Sequence, residues 1–232
     1  MLIGAAVAAV VLGGAIAAIA VAVGSKNGSS TNLPQRGTLT NALPGAVEAH
    51  RLFAGIPQLD NILGSPTAAV TMVEYVDLQC PHCREFEATV MPTIIRRFVR
   101  PGKLKVVARP IAFIGPDSVR GRDAAIAAAQ QNRMFNFMQV TYYNQGIENT
   151  GWLNDDFVRR AAASVPGVRV AQLVKASDSS TVTNRARTFA TQANADRVQG
   201  TPALYVGPSR GRLRYTPADT KNVVAAIRRV LG

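Results

Sequence analysis

Cys80-Pro81-His82-Cys83 lies between a strand-like run and a helix-like run, and few folds present that order. Val70 to Val76 (VTMVEYV) is β-rich and almost continuously apolar, the pattern of a strand buried on both faces of a sheet. After the cysteine pair, Phe86, Val90, Ile94 and Phe98 recur at four-residue spacing on one helical face. Pro81 suits the first helical turn, where its missing N–H is not needed. Pro92 should kink the helix and Pro101-Gly102 should end it. Leu104 to Ala108 reads as a second strand, which makes a βαβ unit with a right-handed crossover.

Before this unit, Ala46 to Ala54 reads as a short helix and Asn61 to Ala68 as a turn into the strand. After it comes a largely helical stretch, about 116–198. Ser118 to Asn136 is Ala-rich, Asn154 caps a helix through Ala163, and Asp178 or Ser179 opens another through Ala195. Ala203 to Val206 is a short apolar strand. A turn at Pro208 to Gly211 and the alternation of Leu213 and Tyr215 with Arg212 and Arg214 complete a hairpin. The last helix reads as capped by Thr216, with Pro217 at its first position, Asp219 three residues after the cap, and a stripe of Val223, Ile227 and Val230. The order βαβ, helical insert, ββα implies an α/β domain over 46–232 around a central mixed sheet.

Leu2 to Gly24 contains only Ala, Val, Ile, Leu and Gly. As a helix it would reach about 34 Å at ~1.5 Å per residue, enough to cross a bilayer core. It reads as a single-pass anchor, the alternative being a signal peptide cleaved after Ala20 or Ala22. Lys26 and Arg36 follow it and no basic side chain precedes it, which by charge alone favours the opposite orientation to the one assigned below. Residues 25–45, rich in Gly, Ser, Asn and Thr, read as a flexible tether.

The formal net charge is +12. Nucleic-acid binding would need those charges clustered on one face with aromatic residues interleaved, and the sequence scatters them. The chain has two cysteines, three positions apart, so they cannot staple a fold: closing so short a loop restricts the unfolded chain very little. A zinc site needs three or four ligands. The two histidines are His50 and His82, and His82 lies between the cysteines, so no metal or organic cofactor is expected.

The pair therefore reads as redox chemistry. Cys80 falls at a helix N-terminus, where unpaired backbone N–H groups and the positive end of the helix dipole favour a thiolate. Cys83, one turn into the helix, suits a resolving thiol. His82 reads either as a polar turn residue or as an imidazole that steadies the neighbouring thiolate. Glu74, six residues before Cys80 in an apolar strand, reads as a buried carboxylic acid with a raised pKa able to move protons for Cys83. Asp77 reads as a turn residue. Thr201-Pro202 precedes a strand and reads as a cis-proline beside the disulfide, leaving the Thr201 backbone to pair with an extended substrate.

Val73-Glu74-Tyr75, Cys80-Pro81-His82-Cys83, Phe86 and Gly200-Thr201-Pro202-Ala203 together resemble the DsbA-like thiol–disulfide oxidoreductases. Gly55-Ile56-Pro57-Gln58 and Leu63-Gly64 are similar to the lead-in of the membrane-anchored bacterial members. The resemblance covers about Ile56 to the C-terminus, and Pro81-His82 is its most specific part. It implies a thioredoxin-like fold interrupted by a helical domain. It also implies an extracytoplasmic site that oxidises exported proteins with unpaired cysteines, and a membrane redox partner that reoxidises the pair. By position, Cys80 is the attacking cysteine, Cys83 its partner, Glu74 the buried acid and Pro202 the cis-proline. Unlike many relatives, the chain has no second cysteine pair. A reductase or isomerase on the same scaffold, and a non-catalytic anchored chaperone or binding module, are the other functions this sequence allows.

Overall fold

The computed structural model describes residues 33–232. The apolar run read as an anchor lies outside them. Among the described residues, no helix is long and apolar enough to cross a membrane.

Six strands form one mixed sheet in the order β1-β2-β4-β3-β5-β6. At its centre lie β3 (Val70–Val76) and β4 (Leu104–Pro110), which run parallel. Every residue of β3 is buried, because helices cover both faces of the sheet there. β5 (Ala203–Pro208) pairs antiparallel with β3, and β6 (Arg214–Thr216) pairs antiparallel with β5. On the other side, β2 (Ile62–Leu63) joins β4, and β1 (Gln58–Leu59) joins β2. The stretch read as a turn over 61–68 thus includes the short strand β2, whose two residues are too few to show a period.

The β3–β4 crossover is helical but not one rod. α2 (Pro81–Thr89) gives way at Val90 to α3 (Met91–Ile94), which runs into a π-turn over Ile95–Val99. Pro92 sits in the first turn of the new segment, where its missing N–H leaves nothing unpaired. Ile94, Ile95 and Phe98 all face the core through the wider turn.

Between β4 and β5 come α4 (Pro116–Ala129), α5 (Met134–Tyr143), α6 (Asp155–Ala163), α7 (Val170–Ser177) and α8 (Ser180–Ala195). The Ala-rich stretch 118–136 is shared between α4 and α5. The chain turns at Gln130–Arg133, where Asn132 takes the left-handed conformation at φ 55°. Asn154 and Ser179 cap α6 and α8 through their side chains, each accepting a backbone N–H three residues on. The last helix, α9 (Thr220–Leu231), is capped by Asp219 rather than Thr216. Thr216 is already committed to β6, paired with Leu204.

The tether read through residue 45 ends earlier. Gly37 donates its N–H to Val168 O at 2.8 Å, and Thr38 donates to Ala163 O at 2.9 Å. Gln35 O accepts from Val170 N–H at 3.0 Å. A Cβ on Gly37 would strike the Val165 and Ala162 carbonyl oxygens, so only glycine lets this segment lie against the end of α6. Helix α1 (Ala46–Phe53) then packs on α5, with Phe53 and Phe135 rings 6.2 Å apart.

Candidate active site

Register brings the site together. Tyr75, near the end of β3, pairs with Ala203 at the start of antiparallel β5. The chain leaving β3 and the chain entering β5 therefore meet at one end of the sheet. The first carries Cys80 and the second carries Thr201-Pro202. The Thr201–Pro202 peptide bond is cis, and the Cys80 thiol donates to the Thr201 carbonyl at 3.2 Å.

The loop between β3 and α2 is held rigidly. The buried Asp77 carboxylate accepts backbone N–H groups from Gln79 at 2.9 Å, Phe113 at 2.7 Å and Ile114 at 2.9 Å. The Gln79 side chain donates to the Ser118 hydroxyl at 2.9 Å and accepts the Asn149 N–H at 2.7 Å. Gln145 donates to the carbonyls of Leu78 at 2.9 Å and Cys80 at 3.1 Å. The helical insert thus clamps the loop that presents the cysteines. Sequence reasoning placed Asp77 in a turn but missed Gln79, Gln145 and Asn149, because their partners lie 39 or more residues away.

Cys80 is the N-cap of α2 and Pro81 opens it. Both cysteines are free thiols. Cys80 is 5% exposed and Cys83 is fully buried, so a substrate reaches only the first sulfur, and through a narrow opening. The hydrogen bond from the Cys83 thiol lowers the Cys80 pKa most, with further donors in the Thr201 side chain and the backbone N–H groups of Cys83 and His82. Against the opposing effect of burial, they bring it to about 6. Burial pushes Cys83 the other way, well above the ordinary thiol value, and the neighbouring Cys80 sulfur adds to the rise. The two sulfurs, one turn apart, thus hold opposite protonation states at neutral pH.

The His82 imidazole points outward. Its side chain is 78% exposed and its Nδ1 stands 3.9 Å from the Glu85 carboxylate. His82 acts on Cys80 through its backbone N–H.

Glu74 is completely buried in β3, and neither carboxylate oxygen has a hydrogen-bond partner. Burial lifts its pKa to about 8. A second buried carboxylic acid, Glu87, was not singled out from the sequence. It is 3% exposed, its Oε1 is unpartnered, and burial followed by the charge of Glu74 raises its pKa well above the usual range. Its signal was available: Glu87 lies four residues after Cys83, on the same face of α2. Burial first, and then the charges of Cys83, Glu87, Glu74 and Asp77, raise the pKa of the buried Tyr142 hydroxyl. Among the described residues, no group of three or more His, Cys, Asp or Glu is placed to hold a metal ion.

The family model described as Thioredoxin matches residues 58–227. "Probable disulfide bond formation protein D" of Bacillus cereus is 30% identical over 147 residues, spanning 62% of this chain and 68% of that protein. Disulfide bond formation protein D of Bacillus subtilis is 26% identical over 157 residues, spanning 62% of this chain and 66% of its own length. Among solved structures, oxidised BdbD from Bacillus subtilis superposes with a TM-score of 0.67 at 22% identity, covering 76% of this chain and 96% of that one. Wolbachia pipientis α-DsbA1 superposes with a TM-score of 0.63 at 18% identity, covering 74% and 90%. The two structures speak for the fold, and the family match and the named relatives for the chemistry. The chain belongs to the thioredoxin family and, within it, is a DsbA-like thiol–disulfide oxidoreductase.

Proposed function

We propose that the chain oxidises paired thiols in exported proteins through Cys80 and Cys83, on the extracytoplasmic side of a bacterial membrane to which residues 2–24 anchor it. The observation that carries this reading is the placement of the two sulfurs: Cys80 caps α2, 3.2 Å from the Thr201 carbonyl beside the cis proline, and Cys83 lies buried one turn on, a placement that draws Cys80 down to about 6 and pushes Cys83 well above its ordinary value. The names of the Bacillus relatives support the direction.

In the oxidised enzyme a substrate thiolate attacks the Cys80 sulfur. A substrate–Cys80 disulfide forms, the Cys80–Cys83 bond breaks, and Cys83 leaves with the electron pair and takes a proton. Glu74, whose pKa of about 8 keeps it protonated at pH 7, is the acid that supplies this proton within the dry site, with Glu87 beside it. The second substrate thiolate then attacks the substrate's own sulfur and releases Cys80 as a stable thiolate. Two substrate thiols lose two electrons and the enzyme disulfide gains them. Of the two substrate protons, one replaces the proton that Glu74 gave to Cys83 and the other passes to solvent. A membrane redox partner removes the two electrons again, and Thr201-Pro202 holds the substrate backbone alongside.

Oxidised full-length chain, mixed with a reduced and unfolded secretory protein, should generate disulfides, and Cys80→Ser should abolish the reaction. An oxidase should have a reduction potential near the range of about −120 to −180 mV, whereas a reductase should lie near about −270 mV. A value at the reducing end, or full activity in Cys80→Ser, would sink the reading.

A further inference from the structure

The β5–β6 hairpin places Tyr205 and Tyr215 opposite each other on the sheet face that also carries Val73. Their rings meet edge to face with centroids 5.9 Å apart, and Tyr205 meets Tyr75 similarly at 6.0 Å. The end of α8 flanks this face, leaving a groove of about 1050 Å³ lined by Arg197, Arg212 and Arg214. All three arginines are exposed, and none makes an ion pair among the described residues. Residues 1–32 contain no Asp or Glu that could supply one. The single carboxylate in the lining, Asp196, is already engaged: it accepts from the Tyr75 hydroxyl at 2.6 Å and faces Arg109 at 3.5 Å.

This groove does not stand apart from the sulfur. A second depression, lined by Thr201 and Pro202, shares Asp196, Arg197, Tyr205 and Tyr215 with it. The two make one path from the Cys80–Thr201 contact to the arginines. Tyr205 lies four residues beyond Thr201, about 13 Å of extended chain at ~3.3 Å per residue. A polypeptide bound through its cysteine at Cys80 and lying along this path meets tyrosine walls first and unpaired guanidinium groups next.

We propose that the groove selects protein substrates carrying an acidic stretch about four to six residues from the reacting cysteine. The inference rests on the exchange reaction proposed above and adds to it a substrate preference. Guanidinium groups bind carboxylates through paired N–H donors, and an open basic groove speeds encounter with acidic partners. A concave site that begins at the reacting sulfur fits a substrate chain better than a flat lipid surface.

The test uses two reduced dithiol peptides that differ only in bearing Asp-Asp-Asp or Lys-Lys-Lys about five residues from the nearer cysteine. Each is mixed with oxidised full-length chain in detergent micelles, and thiol loss is followed by alkylation. Every rate is divided by that of the same protein with dithiothreitol, an uncharged dithiol, so that changes in folding or sulfur reactivity cancel. The acidic peptide should react at least about tenfold faster at low salt, and the advantage should fade near ~0.5 M salt, where the screening length drops below about 5 Å. The double variant Arg212→Glu with Arg214→Glu should reverse the order. Equal normalised rates in the wild type, or an advantage that survives the double variant, overturn the proposal. So does loss of phosphatidylglycerol-vesicle binding in the double variant with the peptide order unchanged, which would assign the groove to lipid. No reaction even with dithiothreitol would defeat the exchange reading itself, and this inference with it.

Discussion

Removing the Cys83 thiol while keeping Cys80 tests the central electrostatic argument. The Cys83 side chain is the largest single cause of the low Cys80 pKa, which falls to about 6 from an ordinary value of 9.0. Three pH units correspond to about 4 kcal/mol at most, since solvent at the helix start screens part of it. A hydrogen bond to a charged group contributes about 1.5–3 kcal/mol, or roughly one to two pH units. Cys83→Ala should therefore move the Cys80 midpoint to about 7–8, leaving the backbone N–H groups and Thr201 to account for the rest. Cys83→Ser keeps a hydroxyl donor and should stay near 6. Each variant has one cysteine, so far-ultraviolet thiolate absorbance against pH reports Cys80 alone. The sign has a redox consequence. A depressed folded-state pKa stabilises the reduced chain above the unfolded pKa, and this contribution is lost as pH falls through about 6. At pH 7, one unit above the midpoint, it amounts to about 1.4 kcal/mol, which makes the couple about 30 mV more oxidising. A Cys83→Ala midpoint still near 6 would refute the role of the second sulfur, and a wild-type midpoint above about 8 would refute the whole account.

Glu74→Gln should flatten the pH dependence of stability. A buried carboxyl raised from 4.5 to about 8 favours folding least when ionised, so stability falls as pH rises through that window, by about 3 kcal/mol at pH 7. Urea melts at about pH 5 and about pH 7.5 should differ less in the variant, and an unchanged difference would contradict the burial argument. Gly37→Ala should lift residues 33–39 off α6, cost about 1–3 kcal/mol, and open the bond after Arg36 to trypsin in the folded chain. Proteolysis at the wild-type rate would show that the segment is not held there.

The sequence made the βαβ unit and its cysteines readable because local signals agreed: an apolar strand, a proline at the first helical position, and a four-residue stripe. Elements governed by distant partners were harder to read. α5, with the sequence Met134–Tyr143, is buried on nearly every side, so it shows no polar face from which a helical period could be read. Thr216-Pro217 carries cap chemistry as good as that of Asp219, and only the pairing of Thr216 with Leu204 decides between them. The composition of residues 33–45 is that of a tether, and nothing local shows that Gly37 fits against backbone more than 120 residues away. In the site, Glu74 was conspicuous as a charge in an apolar strand. Glu87 was hidden because α2 also carries Glu85, which is exposed, and adjacent helical glutamates look alike until one face is known to be buried.

The buried surroundings of Cys83 bear on how the exchange proposed above would run outward. Once a substrate is bonded to Cys80, two thiols compete for the mixed disulfide: Cys83 from within and the substrate's second cysteine from outside. Only a thiolate attacks. Cys83 is held protonated by burial, beside carboxyl groups that burial also keeps protonated, with no cation among their hydrogen-bond partners. An added positive charge at this point, such as Ala108→Lys directly across from Glu74 on β4, would lower the pKa of Cys83 and of Glu74 together. Internal return to the Cys80–Cys83 disulfide would then outrun substrate resolution, and mixed disulfides would be released as unoxidised substrate. In the proposed exchange the apolar floor of the site is thus a kinetic device as well as a core: it would keep the second sulfur protonated long enough for the substrate to finish the reaction.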